Sequence, residues 1–158
     1  MRHEDLSGLP FAKKRREKIG IAGIRGALKS ERKRRERACM DLWQQIVKLR
    51  AGGKCEYCGK TPKKLDAHHF FHRSYARLKY NPDNGFALCY GHHRGYAHRL
   101  PQDFIEWAIL QRGPEWYERL NLIRRASLAP KIDLDLLLAG LQSELQAAKL
   151  SGICKLTK

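Results

Sequence analysis

CEYCGKTPKKLDAHHFFHR at residues 55–73 and NPDNGFALCYGHHRGYAH at residues 81–98 carry most of what this chain reveals about its fold. Four soft donors stand there as two pairs, Cys55-x-x-Cys58 and Cys89-x-x-His92, separated by thirty residues. Tetrahedral zinc takes thiolate and imidazole, and a two-residue gap lets one turn present both donors of a pair to one ion. A structural zinc site is therefore expected, closed to water because four protein donors fill it. The competing reading, a redox CxxC beside ordinary core cysteines, leaves the second pair and the surrounding turn-rich GK, GG and NPDNG sequences without a reason. Cys39 and Cys154 stand outside the pattern and read as buried or tail thiols.

Six of the seven histidines, His68, His69, His72, His92, His93 and His98, fall within 31 residues, more than one zinc site uses. A second, catalytic site is the economical explanation. The order C-x2-C, then L-D-A-H-H, then N-G-x-x-L-C-x2-H-H-x4-H, over Cys55 to His98, closely resembles the HNH (ββα-metal) endonuclease family. The resemblance implies an α+β fold: a small zinc-stapled ββα-metal core with flanking N- and C-terminal helices, in which a hairpin and a following helix pinch one divalent ion. By position, His69 resembles the general base, His68 and His93 the metal ligands, and Asn84 the asparagine of the motif. His98 reads as either an extra ligand or a phosphate contact. Many relatives carry cysteine where this chain has His92, a change zinc tolerates. In a regular strand His68 and His69 face opposite sides, so both flank one phosphate only where the strand ends or bends.

The chemistry is consistent with that resemblance. A phosphodiester repels nucleophiles through its charge, so cleavage needs an activated water, neutralisation at the phosphate and help for the departing oxygen. Histidine, with an ordinary pKa of about 6.5, is largely neutral at pH 7 and takes a proton from water, the role expected of His69. Mg2+, Mn2+ or another divalent ion is the expected catalytic metal beside the structural Zn2+. Asn84 fits a residue that orients the hairpin or His69 better than one that performs chemistry, and N-P-D-N-G is also a plain turn sequence. His72 reads as a structural histidine. Arg73, Arg77, Lys79 and Arg94 beside the motif are candidate phosphate contacts, as are Arg32 and Arg35, although each also fits a solvated surface charge.

Outside the core, 32 Lys and Arg stand against 16 Asp and Glu, a net charge of +16. The excess is +9 over residues 1–50, +6 over 51–100 and +1 over 101–158, which assigns a polyanion-facing surface to the first two thirds. DNA is the expected partner. Residues 1–26, with Gly8, Gly20, Gly23 and Gly26 among basic clusters, read as a flexible basic arm. Residues 27–53 read as a basic helix whose Met40, Trp43, Ile46 and Val47 recur at helical spacing until Gly52-Gly53. After the nuclease core at 54–100, residues 101–158 read as a helical extension. One helix opens at Pro101 with Phe104, Trp107 and Leu110. A second runs from Pro114 to Arg125, and a third, capped by Asp133 or Asp135, runs to about Leu150 before a frayed tail.

The layout of that extension is loosely similar to phage recombination-accessory proteins of the NinG/Rap type, which would imply a phage-related role in DNA recombination. No apolar run is long enough for a bilayer, and the N-terminus lacks the apolar stretch of a secretory signal, so no membrane partner and a cytoplasmic setting, in a bacterial or phage-infected cell, are expected. Whether the chain is a monomer or a homodimer is left open. The alternative to an enzyme is a non-catalytic zinc-stapled nucleic-acid-binding module, which accounts for the charge and the zinc pairs but leaves His68, His69 and His93 without a purpose.

Overall fold

The computed structural model describes residues 20–126 and 131–156. Helix α1, Ile21–Arg50, is followed by an antiparallel pair of strands, β1 (Leu65–His69) and β2 (Gly85–Cys89), joined by a long loop that ends in a 3-10 turn at Pro82–Asn84. A π-helical segment, Gly91–Ala97, leads from β2 into α2 (Pro101–Arg112), α3 (Pro114–Arg125) and α4 (Leu134–Leu156). The chain is thus a mixed helix and sheet structure in which helix dominates. No helix among the described residues is long and apolar enough to cross a membrane.

The recurrence of apolar residues on α1 determines what it covers. Cys39, Trp43, Ile46 and Val47 are buried, and they divide between two neighbours. Trp43 and Val47 pack on Ala87 of β2, whereas Cys39 and Ile46 pack with Leu141 and Leu145 of α4. Gly52 and Gly53, at φ 61° and 71°, then turn the chain through left-handed conformations that a side chain would strain. Gly85 is needed for a different reason. A Cβ there would fall inside the Val47 side chain and against Trp43, so glycine is what lets α1 lie flat on the sheet. On the far side of the sheet Phe86 and Leu88 join Phe104, Ala108, Trp116 and Leu120 of α2 and α3.

A polar clasp binds these layers. Arg112 donates to Glu56 and to the carbonyls of Asp83 and Gly85 while its guanidinium lies 3.7 Å over the Phe86 ring. Glu56 in turn accepts from the Ala87 amide at 2.7 Å. The Asp83 carboxylate pairs with Arg50 at 3.0 Å, tying the end of α1 to the 3-10 turn.

Two expectations about the helices need correction. The first helix begins at Ile21, not near Ala27, so residues 21–26 do not belong to an arm; residues 1–19 lie outside the described residues. Gly23 and Gly26 each cost about 1 kcal/mol, but extending a helix already anchored by packing needs no new nucleus. The last helix also runs on to Leu156 where a frayed tail was expected after Leu150. Its start agrees with expectation: Asp133 Oδ1 accepts from the amides of Asp135 and Leu136 at 3.0 and 3.1 Å.

Candidate metal centres and the groove beside them

The four soft donors converge as their spacing predicts. The ligand atoms of Cys55, Cys58, Cys89 and His92 all lie within 4.8 Å of one another, with His92 Nδ1 3.1 Å from Cys89 Sγ and 3.7 Å from Cys55 Sγ. A nitrogen at about 2.0 Å and a sulfur at about 2.3 Å on a tetrahedral ion sit at such separations, so the set fits zinc. Gly59, at φ 69°, makes the knuckle turn, and its amide donates to the Cys55 carbonyl at 2.8 Å. Burial alone would raise the Cys55 thiol, but the surrounding backbone amides of Cys89, Cys58 and Tyr57 bring it below its ordinary range, as a metal-binding thiolate requires.

A second cluster stands on one face of the hairpin. Strand alternation sends Asp66 and His68 to the side of the π-helical segment, where the His68, His93 and His98 donor atoms gather within 4.8 Å. His93 Nδ1 donates to Asp66 Oδ2 at 3.1 Å, which leaves Nε2 as its lone-pair nitrogen. That atom is 3.2 Å from His98 Nε2, close to the separation of about 3.3 Å that two imidazoles take on one tetrahedral ion. His68 stands edge-on to both rings and to Phe104, and burial, reinforced by His93 and His98, holds its pKa at about 3. Burial, with His93 and Arg94 nearby, also lowers His98. Three imidazoles converging in this way fit a cation.

His69 points the other way, toward α1. Its ring stacks on Trp43 at 3.9 Å and 10°, and its Nε2 lies 2.9 Å from the Lys79 carbonyl. A carbonyl only accepts, so Nε2 carries the proton and Nδ1 is the basic nitrogen. Burial lowers the pKa of His69, partly offset by that carbonyl bond. Strand β1 is regular through His69, so the end or bend that would let His68 and His69 flank one phosphate from the same side is not there, and the alternation of the strand separates them. His69 instead shares a groove of about 370 Å³ with Asp66 and His93, and the rim of that groove carries Lys64, Arg73 and Arg94.

Asn84 is fully buried beneath the loop joining the strands. Its Nδ2 donates to the carbonyls of Phe71 and Leu78 at 2.9 and 3.1 Å, and its Oδ1 accepts from the Phe71 amide at 2.8 Å. It is a positioning residue with no reach to solvent. His72 is exposed and engages Ser74, outside both clusters. Of the candidate phosphate contacts, Arg73 and Arg94 are at the groove. Arg77 lies instead on the side facing α3 and α4, and Lys79 rests over the Tyr80 ring at 4.9 Å. Arg35 is taken up by Glu31 and Asp135, and Arg32 is exposed but paired with Glu36.

Three participants escaped the sequence reading: Asp66, Trp43 and Lys64. The first had a signal, since Asp66 and His68 are two apart on a strand and share a face. The others depend on long-range packing. Comparison of the chain with protein-family models, with curated proteins and with solved structures finds no match.

Proposed function

We propose that the chain is a metal-dependent endonuclease that hydrolyses phosphodiester bonds in DNA, with an HNH-type core stapled by zinc at Cys55, Cys58, Cys89 and His92. The observation that carries this reading is the pairing, within one groove, of a tautomer-locked His69 with the Asp66-oriented His93 of a three-imidazole cluster. A purely structural zinc module has no use for a second set of converging histidines beside a basic rim.

His68, His93 and His98 would hold the catalytic ion, which when bound supplies Lewis-acid neutralisation of the phosphate and of the departing oxygen. Nitrogen donors suit zinc, nickel or cobalt, and weigh against Mg2+, which prefers oxygen. His69 Nδ1 accepts the proton of the attacking water, while the bond from Nε2 to the Lys79 carbonyl and the Trp43 stack keep the ring from turning. Arg73, Arg94 and Lys64 bind the phosphates flanking the cut. Asn84 holds the loop from Phe71 to Leu78 so that the Lys79 carbonyl stays in place.

The test is a supercoiled-plasmid nicking assay of wild type and His69→Ala with a panel of divalent ions. Nicking by wild type, lost by at least about 10²-fold in His69→Ala of unchanged zinc content, supports the reading. An inert wild type that still binds DNA assigns the chain to the non-catalytic binders. Cleavage of linear, flap and four-way substrates would then decide the branched-DNA role that a phage recombination setting implies.

A further inference from the structure

Helix α1 and α4 run side by side in the same direction, since Arg35, midway along α1, meets Asp135 at the start of α4, and Arg50, at the end of α1, meets Glu144 further along. The first turns of α1 therefore extend past the beginning of α4, and residues 21–30 are all exposed. This overhang carries two different faces. Ile21, Ile24 and Leu28 continue the α4-facing stripe, at 72%, 50% and 66% exposure. Arg25, Lys29, Lys33 and Arg37 recur every fourth residue on the adjoining face and are exposed.

The cationic face leads somewhere. Continuing by three and then four residues it reaches Met40 and Gln44, which line the groove that holds His69. At about 100° per residue these six positions cover only about a third of the helix circumference. Arg25, Lys29, Lys33 and Arg37 have no ion-pair partner among the described residues, whereas Arg32, Arg34 and Arg35 are each paired with an acid. Two acids stand at the face: Glu36, inside it, is paired with Arg32, and Asp41, at its border, lies one turn beyond Arg37, toward the groove. Like charges four apart on a helix oppose folding by a few tenths of a kcal/mol per pair, a cost that contact with a polyanion reverses.

We propose that this face of α1 is a rail for the phosphate backbone of duplex DNA, running out of the groove in one direction only. From Gln44 to Arg25 it spans about 28 Å, the length of roughly eight base pairs. DNA therefore meets the protein asymmetrically, with the added contacts on one side of the reacting bond. The inference rests on DNA being the substrate proposed above, and the rail replaces Arg32 and Arg35 as the main phosphate contacts of α1. An amphipathic basic helix also suits an anionic membrane surface, but continuity with the groove favours the nucleic acid.

The experiment compares two triple variants of equal charge: Arg25→Gln with Lys29→Gln and Lys33→Gln on the rail, and Arg125→Gln with Lys131→Gln and Lys149→Gln in the C-terminal third of the chain. Glutamine keeps helix propensity, and circular dichroism with zinc content checks the fold. Binding to a fluorescent 30-base-pair duplex is followed by anisotropy over a range of salt. The rail triple is expected to lower affinity on the order of 10²-fold at 0.1 M salt and to reduce the salt slope by about 2.7, and single variants by about 0.9 each. The control triple should change neither by more than a small fraction of that.

Equal losses in the two triples, or an unchanged slope on the rail, overturn the proposal. So does binding to phosphatidylserine vesicles that the rail triple abolishes while duplex affinity stays intact. Plasmid nicking is measured alongside. If wild type does not nick but the rail triple still loses duplex affinity, the hydrolase reading fails and the rail stands. If wild type nicks and the two triples bind alike, the rail alone is wrong.

Discussion

His69 is held by Trp43 on one ring face and by the Lys79 carbonyl at Nε2, while His93 is held by Asp66 at Nδ1. In each case a second residue decides which nitrogen is left with a lone pair, the property on which the proposed roles of base and ligand depend. The chemistry thus resides in pairs: histidine alone is ambiguous between base, ligand and core residue. A pH consequence belongs at this scale. Burial lowers the pKa of His69 below its ordinary 6.5, so protonation, which disables a base, sets in only at more acidic pH. Nicking should hold its rate between pH 8 and 7 and fall on the acid side with a midpoint below 6.5, in a profile of kcat against pH. An acid limb with its midpoint above pH 7 would show that some other group limits the reaction.

Among the elements, the π-helical segment and Gly85 show how backbone conformation makes a site. In an α-helix, five residues turn through about 500°, which would leave His98 about 140° around from His93. The wider π turn, with the His98 amide donating to the His93 carbonyl at 3.3 Å, brings both rings to one side. Gly85 performs the matching service for α1, because only its missing Cβ lets Val47 and Trp43 approach β2 and so lets Trp43 reach His69. Gly85→Ala should destabilise the chain by about 1–3 kcal/mol in denaturant unfolding, with part of the loss recovered by adding Val47→Ala. An alanine protein as stable as wild type would mean that the helix does not press on the strand.

The described residues form a Cys3His knuckle that fits zinc, a two-stranded sheet, a π-helical segment and four α-helices. Cys55 is fully buried in the same apolar cluster as Phe86, Leu88 and Phe104, so the zinc donors are part of the core itself. Metal binding there is folding free energy. Chelation of the knuckle zinc, or Cys58→Ser, should lower the thermal midpoint sharply and broaden the transition, whereas His68→Ala should keep one equivalent of zinc and melt near wild type. A metal-free chain that melts like the holo form would make the knuckle ornamental.

Spacing alone was enough for the zinc quartet, because ligands two apart reach one ion from a single turn wherever that turn sits. The helical stretches were likewise legible from apolar recurrence and from Gly52, Gly53, Pro101 and Pro114, which act on their immediate neighbours. Other features were decided only by the tertiary structure: Asp66 behind His93, Trp43 beneath His69, and Arg35 spent on Asp135 a hundred residues away. Local backbone preference acts over a few residues and is written in their order. The tautomer of a ring and the freedom of a charge depend on what packing brings from elsewhere in the chain, and adjacent letters do not record it.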